Sequence, residues 1–405
     1  MIKNNVGKLH ECYGCGVCTA VCPVKIIDLK ENKDGFYAPV LTNEDKCINC
    51  GLCLKVCAFN HKHLSLSDSQ PMCFAGYSED EIVRHRCSSG GIGFEIGRFL
   101  IKNGFYACGV KYDVNNERAI HFIASTVEDY TPSIGSKYIQ SFSQSAFCDI
   151  NRTNNYLITG TPCQIDSFRR YIRHLKIEDN FILLDFFCHG VPSMLLWRKY
   201  INTIEKNIGR AGFVSWRNKT NGWHDSYNMN IDPIDSENTD LHNSYNINTS
   251  EKTHFYQSRW SDGDFFYKIF LGNYCLNKCC YKSCKYKCMA SSADIRIGDL
   301  WGKAYKNENL GTNAIIAFTE KGKKLLAKLP NCNITEISAS TCIEGQMKKS
   351  PSIPLIYRPL LVSLGKDGNL HKTYDRIIKP YRILTIPKRG INKICYKLGI
   401  KPLFH

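Results

Sequence analysis

Hydrophobic and polar positions in the middle of the chain predict helices and strands in alternation. Apolar residues recur at helical spacing after position 91, which predicts a helix there. They are Ile92, Phe94, Ile96, Phe99 and Leu100. The segment "YACGVKYD", which follows a few residues later, predicts a strand.

Two later stretches, "YLITGTPCQIDSFRRYIRHLK" and "FILLDFFCHGVPSMLLWRKYINTIEKN", share one order of elements: strand, loop and helix. In the first stretch the strand is predicted at 156–159, the loop at 160–163 and the helix from about 164. In the second the strand is predicted at 181–187, the loop at 188–192 and the helix from about 193. Ile165, Phe168, Ile172 and Leu175 give the first helix one apolar face. Because loops that follow strands in α/β sheets lie where ligands bind, these two loops predict a binding site.

Composition narrows the class of protein. With 405 residues, the chain is long enough for two or three domains. No apolar run approaches the roughly 20 residues of a membrane span, and the N-terminus lacks the apolar region of a signal peptide. We therefore expect a cytoplasmic protein. Since cytosolic thiols stay reduced, the 22 cysteines predict metal ligands or redox groups.

Positive charge is concentrated at the C-terminus. The net charge is +16, and residues 346–405 contain thirteen Lys or Arg against two acids. This composition predicts a basic extension, which is either a solvated arm or a contact for a membrane surface or an acidic partner. No zinc-finger, RNA-binding or helix-turn-helix motif precedes it, so we do not expect a nucleic-acid partner.

The N-terminal segment holds two complete CxxCxxCxxxC runs, "CYGCGVCTAVC" and "CINCGLCLKVC". In two-cluster ferredoxins the fourth cysteine of each run ligates the other cluster. The predicted ligands are Cys12, Cys15, Cys18 and Cys57 for one 4Fe-4S cluster, and Cys47, Cys50, Cys53 and Cys22 for the other. Zinc is the alternative, but zinc sites use four ligands in two pairs. Gly14, Gly16 and Gly51 suit a backbone that approaches the sulfur atoms closely.

Further cysteines predict a third centre. Cys163 and Cys188 occupy the two loops described above, one in each. Five more follow within fourteen residues, ahead of the strand-like "ADIRIGD": Cys275, Cys279, Cys280, Cys284 and Cys288. A third cluster would take the two loop thiols and two of these five. A zinc site and simple burial of the thiols are the alternatives.

Two short segments suggest a phosphate or flavin site. In "CSSGG", Ser88 or Ser89 can cap the predicted helix, and Gly90 and Gly91 let a ligand approach the backbone. In "GSKY", Lys137 can pair with a phosphate or a reduced flavin. An ordinary Ser-Gly helix start and a surface turn are the corresponding alternatives.

The motifs "SSGG", "GSKYIQS", "GTPCQI", "CHGVPS", "WRNKTNGW", "SADIRIGDLWG" and "GTNAIIAFTEKG" occur in this order. Together they resemble the coenzyme F420 hydrogenase/dehydrogenase beta-subunit family, which includes 7-hydroxymethyl chlorophyll a reductases. The resemblance runs from about residue 10 to about residue 330. The chain resembles the bacterial members of the family, which have a fused N-terminal ferredoxin domain and whose genes often accompany polysaccharide-synthesis genes. It implies an α/β domain with its own 4Fe-4S cluster and FAD.

The resemblance also assigns residues. It implies these FAD contacts: Ser88, Ser89, Gly90, Gly91, Lys137 and Tyr138. It implies Cys163 and Cys188 as cluster ligands, completed by a pair in "CCYKSC". Relatives usually show CxxC there, whereas three residues separate Cys280 and Cys284 in this chain. Cys284 keeps the usual distance to Asp294 and Cys280 is the expected partner, with Cys279 the rival.

The implied domains are a two-cluster ferredoxin-type domain over 1–66, an α/β domain with FAD and a cluster over 70–345, and the basic extension over 346–405. The implied function is an oxidoreductase. Electrons would pass from a ferredoxin or another redox protein through the clusters to FAD, which delivers them to a small-molecule substrate or an F420-like acceptor. His189 and Asp299 are the candidate acids by position, although a backbone-bonded loop histidine and a turn-capping aspartate are the simpler interpretations.

The sequence is also compatible with other interpretations of one motif and of the whole chain. Lys219, Trp223 and His224 in "NKTNGWHDSY" line a pocket or belong to a strand edge. The whole chain can also be a non-catalytic electron-transfer subunit that feeds a partner enzyme, or an iron–sulfur sensor. The Gly/Ser loop and "GSKY" argue against a sensor, because sensing needs no nucleotide pocket.

Overall fold

A computed structural model of the protein describes residues 4–9, 11–66, 70–234, 255–282 and 284–385. The strands are β1 (Ile27–Glu31), β2 (Tyr37–Leu41), β3 (Met72–Ser78), β4 (Tyr106–Asp113), β5 (Arg118–Ala124), β6 (Ser141–Phe142), β7 (Tyr156–Thr159), β8 (Phe181–Phe186), β9 (Ala211–Ser215), β10 (Asn228–Pro233), β11 (Tyr256–Arg259), β12 (Ile295–Asp299), β13 (Asn313–Ala317) and β14 (Cys332–Glu336). The helices are α1 (Val17–Val21), α2 (Leu52–Lys55), α3 (Glu81–Arg86), α4 (Ile92–Lys102), α5 (Val127–Tyr130), α6 (Gln144–Cys148), α7 (Pro162–His174), α8 (Met194–Ile208), α9 (Phe265–Phe270), α10 (Lys278–Tyr281), α11 (Glu320–Leu326), α12 (Ala339–Cys342), α13 (Tyr357–Leu364) and α14 (Leu370–Thr373).

A nine-stranded mixed sheet forms the centre of the body, in the order β14-β3-β13-β12-β8-β7-β4-β5-β6. Its middle strands β12, β8, β7 and β4 are parallel neighbours, and the outer pairs β4–β5, β12–β13, β13–β3 and β3–β14 are antiparallel. The predicted strands at 156–159 and 181–187 are the central pair β7 and β8, so the expected mixed α/β class is confirmed. A separate three-stranded sheet contains β11, β10 and β9.

Alternation along β7 and β8 divides the core between the two faces of the sheet. Ile158 and Leu183 pack with α7 and the N-terminal helix α1 on one face. Leu157 and Ile182 pack with α4 and α11 on the other. Successive strand residues point to opposite faces, so these continuous apolar runs predict a sheet covered on both sides.

Helix α7 begins two residues earlier than the apolar pattern indicates. Thr161 precedes it, and the Gln164 side chain accepts a hydrogen bond from the Thr161 N–H at 2.9 Å. Pro162 occupies the first turn, where its missing N–H has no helical partner to lose. Cys163 therefore lies within the first helical turn and not in the loop.

The N-terminal segment packs directly against the body. Ser143 Oγ donates to Cys15 O at 2.9 Å, and Gln140 accepts from Tyr37 N at 2.9 Å. A Cβ at Gly16, which has a φ of +78°, would lie 2.2 Å from Ser143 Oγ. The close approach therefore requires glycine at this position.

The C-terminal segment is folded where the structure describes it. Helices α13 and α14 pack against α8 and bury Leu360, Leu361 and Leu370. Lys199 of α8 donates to Ser363 O at 2.9 Å and to Lys366 O at 2.6 Å. Residues 357–378 are therefore part of the core and not a free arm, and the last basic residues of the predicted extension lie outside the described ranges. Among the described helices, none is long and apolar enough to cross a bilayer.

Candidate functional site

The structure brings the first four predicted cluster ligands together. Burial raises the pKa of the Cys18 thiol well above its ordinary value, and the thiols of its three predicted partner ligands raise it further. These belong to Cys15, Cys12 and Cys57. Cys57 comes from the second cysteine run, so this ligand crosses between the runs as the ferredoxin pattern predicts. The N–H of Gly14 donates to Cys12 Sγ at 3.2 Å, as backbone amides do around ligating sulfur.

The other four N-terminal cysteines line a small cavity of their own: Cys22, Cys47, Cys50 and Cys53. Cys50 is exposed, as is its neighbour Ile48 at 61%. On the inner side, Cys53 is close enough to Cys18 to raise the pKa of that thiol. The second group therefore lies at the surface and adjoins the first.

A third group combines cysteines from distant segments. Burial raises the pKa of the Cys163 thiol, and the thiols of Cys188 and Cys280 raise it further. Cys284 has the same effect on both Cys188 and Cys280. Cys163 starts α7, Cys188 follows β8, and the other two lie between β11 and β12. The thiol of Cys15 also acts on Cys163, so the third group adjoins the first.

Cys279 and Cys280 are adjacent on α10, and the thiol of Cys284 raises the pKa of both. Cys279 is 1% exposed and packs with Tyr13, Ala58 and Tyr286 on the side of the N-terminal domain. Cys280 lies beside Cys188 and lines a large cavity that Cys279 does not reach. This geometry favours Cys280 as the partner of Cys284.

The donor set of these three groups suits iron–sulfur clusters. Each group consists of four thiols, which is the ligand set of a 4Fe-4S cluster. Burial raises the pKa of most of these thiols, and metal binding offsets that penalty because the ligating form is the thiolate.

Two polar residues of α7, the helix that carries Cys163, contact the N-terminal domain. Ser167 Oγ accepts hydrogen bonds from Cys15 Sγ at 3.3 Å and from Ala58 N at 3.0 Å. Asp166 accepts from Tyr286 OH at 2.8 Å and from Ser65 N at 2.7 Å. Sequence reasoning did not single out either residue, although both directly follow "GTPCQI" on α7.

A cavity of about 660 Å³ lies between the third group and the carboxyl ends of β7 and β8. It is within the size range of small-molecule and cofactor sites. The predicted site residues that line it are Ser88, Ser89, Gly91, Lys137, Tyr138, Cys163, Cys188, His189, Cys280, Cys284 and Asp299. Gly90 does not line it. A Cβ at Gly90 would lie 2.5 Å from Gly76 O, so this glycine allows two backbone segments to touch.

Lys137 is half-buried and its ammonium group is enclosed by main-chain oxygens. Its ammonium group donates to four main-chain oxygens of the preceding loop at 2.8 to 3.1 Å: Pro132, Ser133, Ile134 and Gly135. Burial lowers the pKa of Lys137 to about 7. Lys137 therefore shapes the cavity wall through this loop. Tyr138 presents its ring among Tyr227, at 5.8 Å, and Phe270, at 5.4 Å.

Lys219 anchors the Gly/Ser loop that lines the cavity. Its Nζ donates to Ser89 O at 2.5 Å, Arg84 O at 2.5 Å and Leu310 O at 2.6 Å. Burial lowers its pKa to about 8. It therefore fixes the Gly/Ser loop from behind and does not line the cavity.

We expect Lys219→Met to change how stability depends on pH. The pKa of Lys219 is about 8 in the folded protein and 10.5 ordinarily, so the unfolded state binds more protons between these values. The free energy of unfolding therefore rises with pH in this window, and the variant lacks the rise. Anaerobic urea unfolding at about pH 8 and pH 10 measures the difference. The exposed control Lys306→Met should keep the pH dependence of the wild type. If the free energy of unfolding depends on pH in the same way in Lys219→Met and Lys306→Met, the assignment is wrong.

The two candidate acids are constrained. His189 lines the cavity, burial and the charge of Lys287 lower its pKa to about 4, and its Nε2 has no hydrogen-bond partner among the described residues. Asp299 accepts from Arg217 at 2.6 Å and from Trp223 Nε1 at 3.0 Å. His189 is therefore neutral at physiological pH, and Asp299 is the counterion of an arginine.

Arg217 was missed by sequence reasoning. It is 3% exposed, it lies 4.8 Å from the centre of the Tyr227 ring, and it lines the cavity. Burial opposes its charge, but Asp299 raises the pKa of Arg217 above its usual value. The sequence signal that could have identified Arg217 as a site residue is its position in the motif "WRNKTNGW". In the same motif Trp223 is fully buried and stacks on Trp301 at 4.7 Å, and His224 bonds Tyr305 O.

Comparisons with known proteins bear on this arrangement. The family model for the C-terminal part of the coenzyme F420 hydrogenase/dehydrogenase beta chain matches residues 153–341, and a "4Fe-4S dicluster domain" matches residues 11–61. The first match confirms the resemblance to the F420 hydrogenase/dehydrogenase beta-subunit family over residues 153–341. The matched range includes all four cysteines of the third thiol group. The dicluster match confirms a ferredoxin-type N-terminal domain.

A solved structure of the F420-reducing NiFe hydrogenase complex from Methanosarcina barkeri, in a xenon-derivatised form, contains a similar chain. It is 12% identical, with a TM-score of 0.45, and the match covers 85% of this chain and 100% of that chain. No curated protein matches the chain. The beta-subunit relationship and the dicluster domain establish an iron–sulfur protein with a redox role.

Proposed function

We propose that the protein is an oxidoreductase in which three 4Fe-4S clusters lead electrons to FAD in the 660 Å³ cavity. A ferredoxin or another redox protein would donate the electrons, and a small molecule or an F420-like coenzyme would accept them. The observation that carries the proposal is the position of Cys163. It adjoins Cys15 of the first thiol group on one side and lines the cavity on the other.

The order of the three thiol groups supports a linear path. The surface group at Cys50 adjoins the first group through Cys53 and Cys18. The first group adjoins the third through Cys15 and Cys163. Because α7 is hydrogen-bonded to the N-terminal domain through Ser167, this spacing is fixed by the fold. The four ligands proposed for the third cluster are Cys163, Cys188, Cys280 and Cys284.

The cavity lining supports a flavin nucleotide. Ser88, Ser89 and Gly91 precede the 11-residue helix α4, whose N-terminus favours phosphate groups. Aromatic rings at Tyr138 and Tyr227 provide surfaces for a planar ring system. When bound, FAD supplies the change from single electrons to an electron pair.

A second candidate is a non-catalytic subunit that passes electrons to a partner. His189 is held neutral and Asp299 is paired with Arg217, so neither presents a free acidic proton to a substrate. Under this alternative the protein needs only its clusters.

Cofactor content separates the two functions. Anaerobic purification and reconstitution should give about twelve irons, a matching amount of sulfide and one FAD per chain, at four irons per cluster. About eight irons without flavin would contradict both the third cluster and the flavin site. Full iron content without flavin would support the carrier role.

Two glycines provide a matched test of the flavin site. Gly91 and Gly104 have φ values of +90° and +81°, so an Ala at either position strains the backbone similarly. Only Gly91 lines the cavity. We expect Gly91→Ala to lower the FAD content of the purified protein and Gly104→Ala to keep it. Equal FAD content in the two variants would contradict this location of the flavin.

A further inference from the structure

A second cavity, of about 530 Å³, opens beside the third thiol group and is lined by five lysines. They are Lys282, Lys285, Lys287, Lys348 and Lys349. The other residues that the structure describes in this lining include serines, a proline and Cys284, and none is acidic. We call this cavity the lysine depression.

Two of the lysines build the wall of the depression. Lys287 Nζ donates to Cys188 O at 2.8 Å, and Lys285 Nζ donates to Ala58 O at 2.9 Å and to His61 O at 2.6 Å. These bonds tie the cysteine-rich loop to β8 and to the N-terminal domain. The depression is therefore a fixed feature of the fold.

The other three lysines face solvent. Lys282, Lys348 and Lys349 are exposed, and no ion pair joins them to a carboxylate in the described part of the chain. Several like charges around a concave surface create a strong positive potential, because field lines are focused there. An exposed positive surface of this kind attracts negatively charged partners and raises their association rate.

One residue in the lining of the depression indicates which class of partner binds there. Cys284 lines both this depression and the 660 Å³ cavity. The proposed third cluster therefore has one of its ligands in the lining of the depression. A cluster exchanges single electrons, so a one-electron carrier gains from docking here, whereas a substrate that accepts an electron pair needs the flavin.

We propose that the lysine depression is the docking site of an acidic electron-transfer protein that exchanges electrons directly with the third cluster. In the exchange, the centre of the partner loses one electron and the third cluster gains it, or the reverse, and no bond or proton is transferred. The site is a second port, distinct from the surface group at Cys50. The inference rests on the third cluster of the proposed function.

Charge reversal tests the docking site. The variant K282E/K348E/K349E should weaken binding of an acidic two-cluster ferredoxin at low salt by at least about tenfold, and most of that difference should vanish at high salt. The matched control K102E/K324E/K328E changes the net charge equally at exposed lysines outside the depression. Sedimentation velocity or biolayer interferometry of the anaerobic holoprotein gives the Kd.

Three results would overturn the proposal. These are an unchanged Kd in the first variant, an equal loss in the control, and weaker binding of pyrophosphate with unchanged binding of the ferredoxin. The last result would assign the depression to small anions. Iron content of the same preparations keeps this test separate from the proposed function, since a wild-type protein with eight irons refutes the third cluster whatever the Kd shows.

Discussion

Replacing Cys280 by Ser is expected to remove four of about twelve irons per chain, whereas replacing Cys279 is expected to remove none. Successive helical residues point about 100° apart at 3.6 residues per turn. Cys280 therefore faces Cys188 and the cavity, while Cys279 packs against Tyr13 and Ala58. Iron and sulfide analysis of the two anaerobic variants measures the difference.

Cys163→Ser and Cys188→Ser are the companion variants. Each should give the same iron content as Cys280→Ser, because all three thiols belong to one group. Cys275→Ser is a suitable control, since this thiol is buried in a hydrophobic cluster beneath α8 and no thiol of the described residues contributes to its raised pKa. Twelve irons in Cys163→Ser and Cys188→Ser would refute the ligand assignment, and a loss in Cys279→Ser would exchange the roles of the two neighbours.

The second large effect is expected at Asp185, the partner of Arg296. Both side chains are fully buried, and two bonds of 2.7 Å join the guanidinium to the carboxylate. Asp185→Asn leaves the buried guanidinium without a counter-charge, so it should lower the free energy of unfolding by about 3–5 kcal/mol. Arg296 also donates to Cys288 O at 2.7 Å, so the variant should loosen the cysteine-rich loop as well. Anaerobic urea unfolding measures the loss.

Two comparisons sharpen this expectation. Asp375→Asn breaks a pair with Lys379 whose side chains are both more than 60% exposed, so it should change stability by less than about 1 kcal/mol. The double variant D185L/R296M removes both charges and should recover much of the loss. A double variant as unstable as Asp185→Asn would show that packing, and not the unpaired charge, causes the effect.

The sequence alone supports the chemistry of the N-terminal domain and the α/β class of the body. Two complete CxxCxxCxxxC runs identify the dicluster domain because the ligand spacing is local. The strands at 156–159 and 181–187 follow from continuous apolar runs, which need no knowledge of their neighbours. The start of α7 was misplaced by two residues, since Thr161 and Pro162 set it through capping and not through hydrophobicity.

Only the tertiary structure decided how distant residues meet. The apolar and cysteine patterns cannot distinguish Cys279 from Cys280, because their difference lies in the direction each side chain takes from α10. Lys137 and Lys219 were ambiguous as single charged residues, and burial with main-chain oxygens around them shows that they brace the cavity walls. The pairing of Asp299 with Arg217 joins residues more than eighty positions apart. Ligand spacing within one loop can be read from the chain, but contacts between loops depend on how the sheet brings its strand ends together.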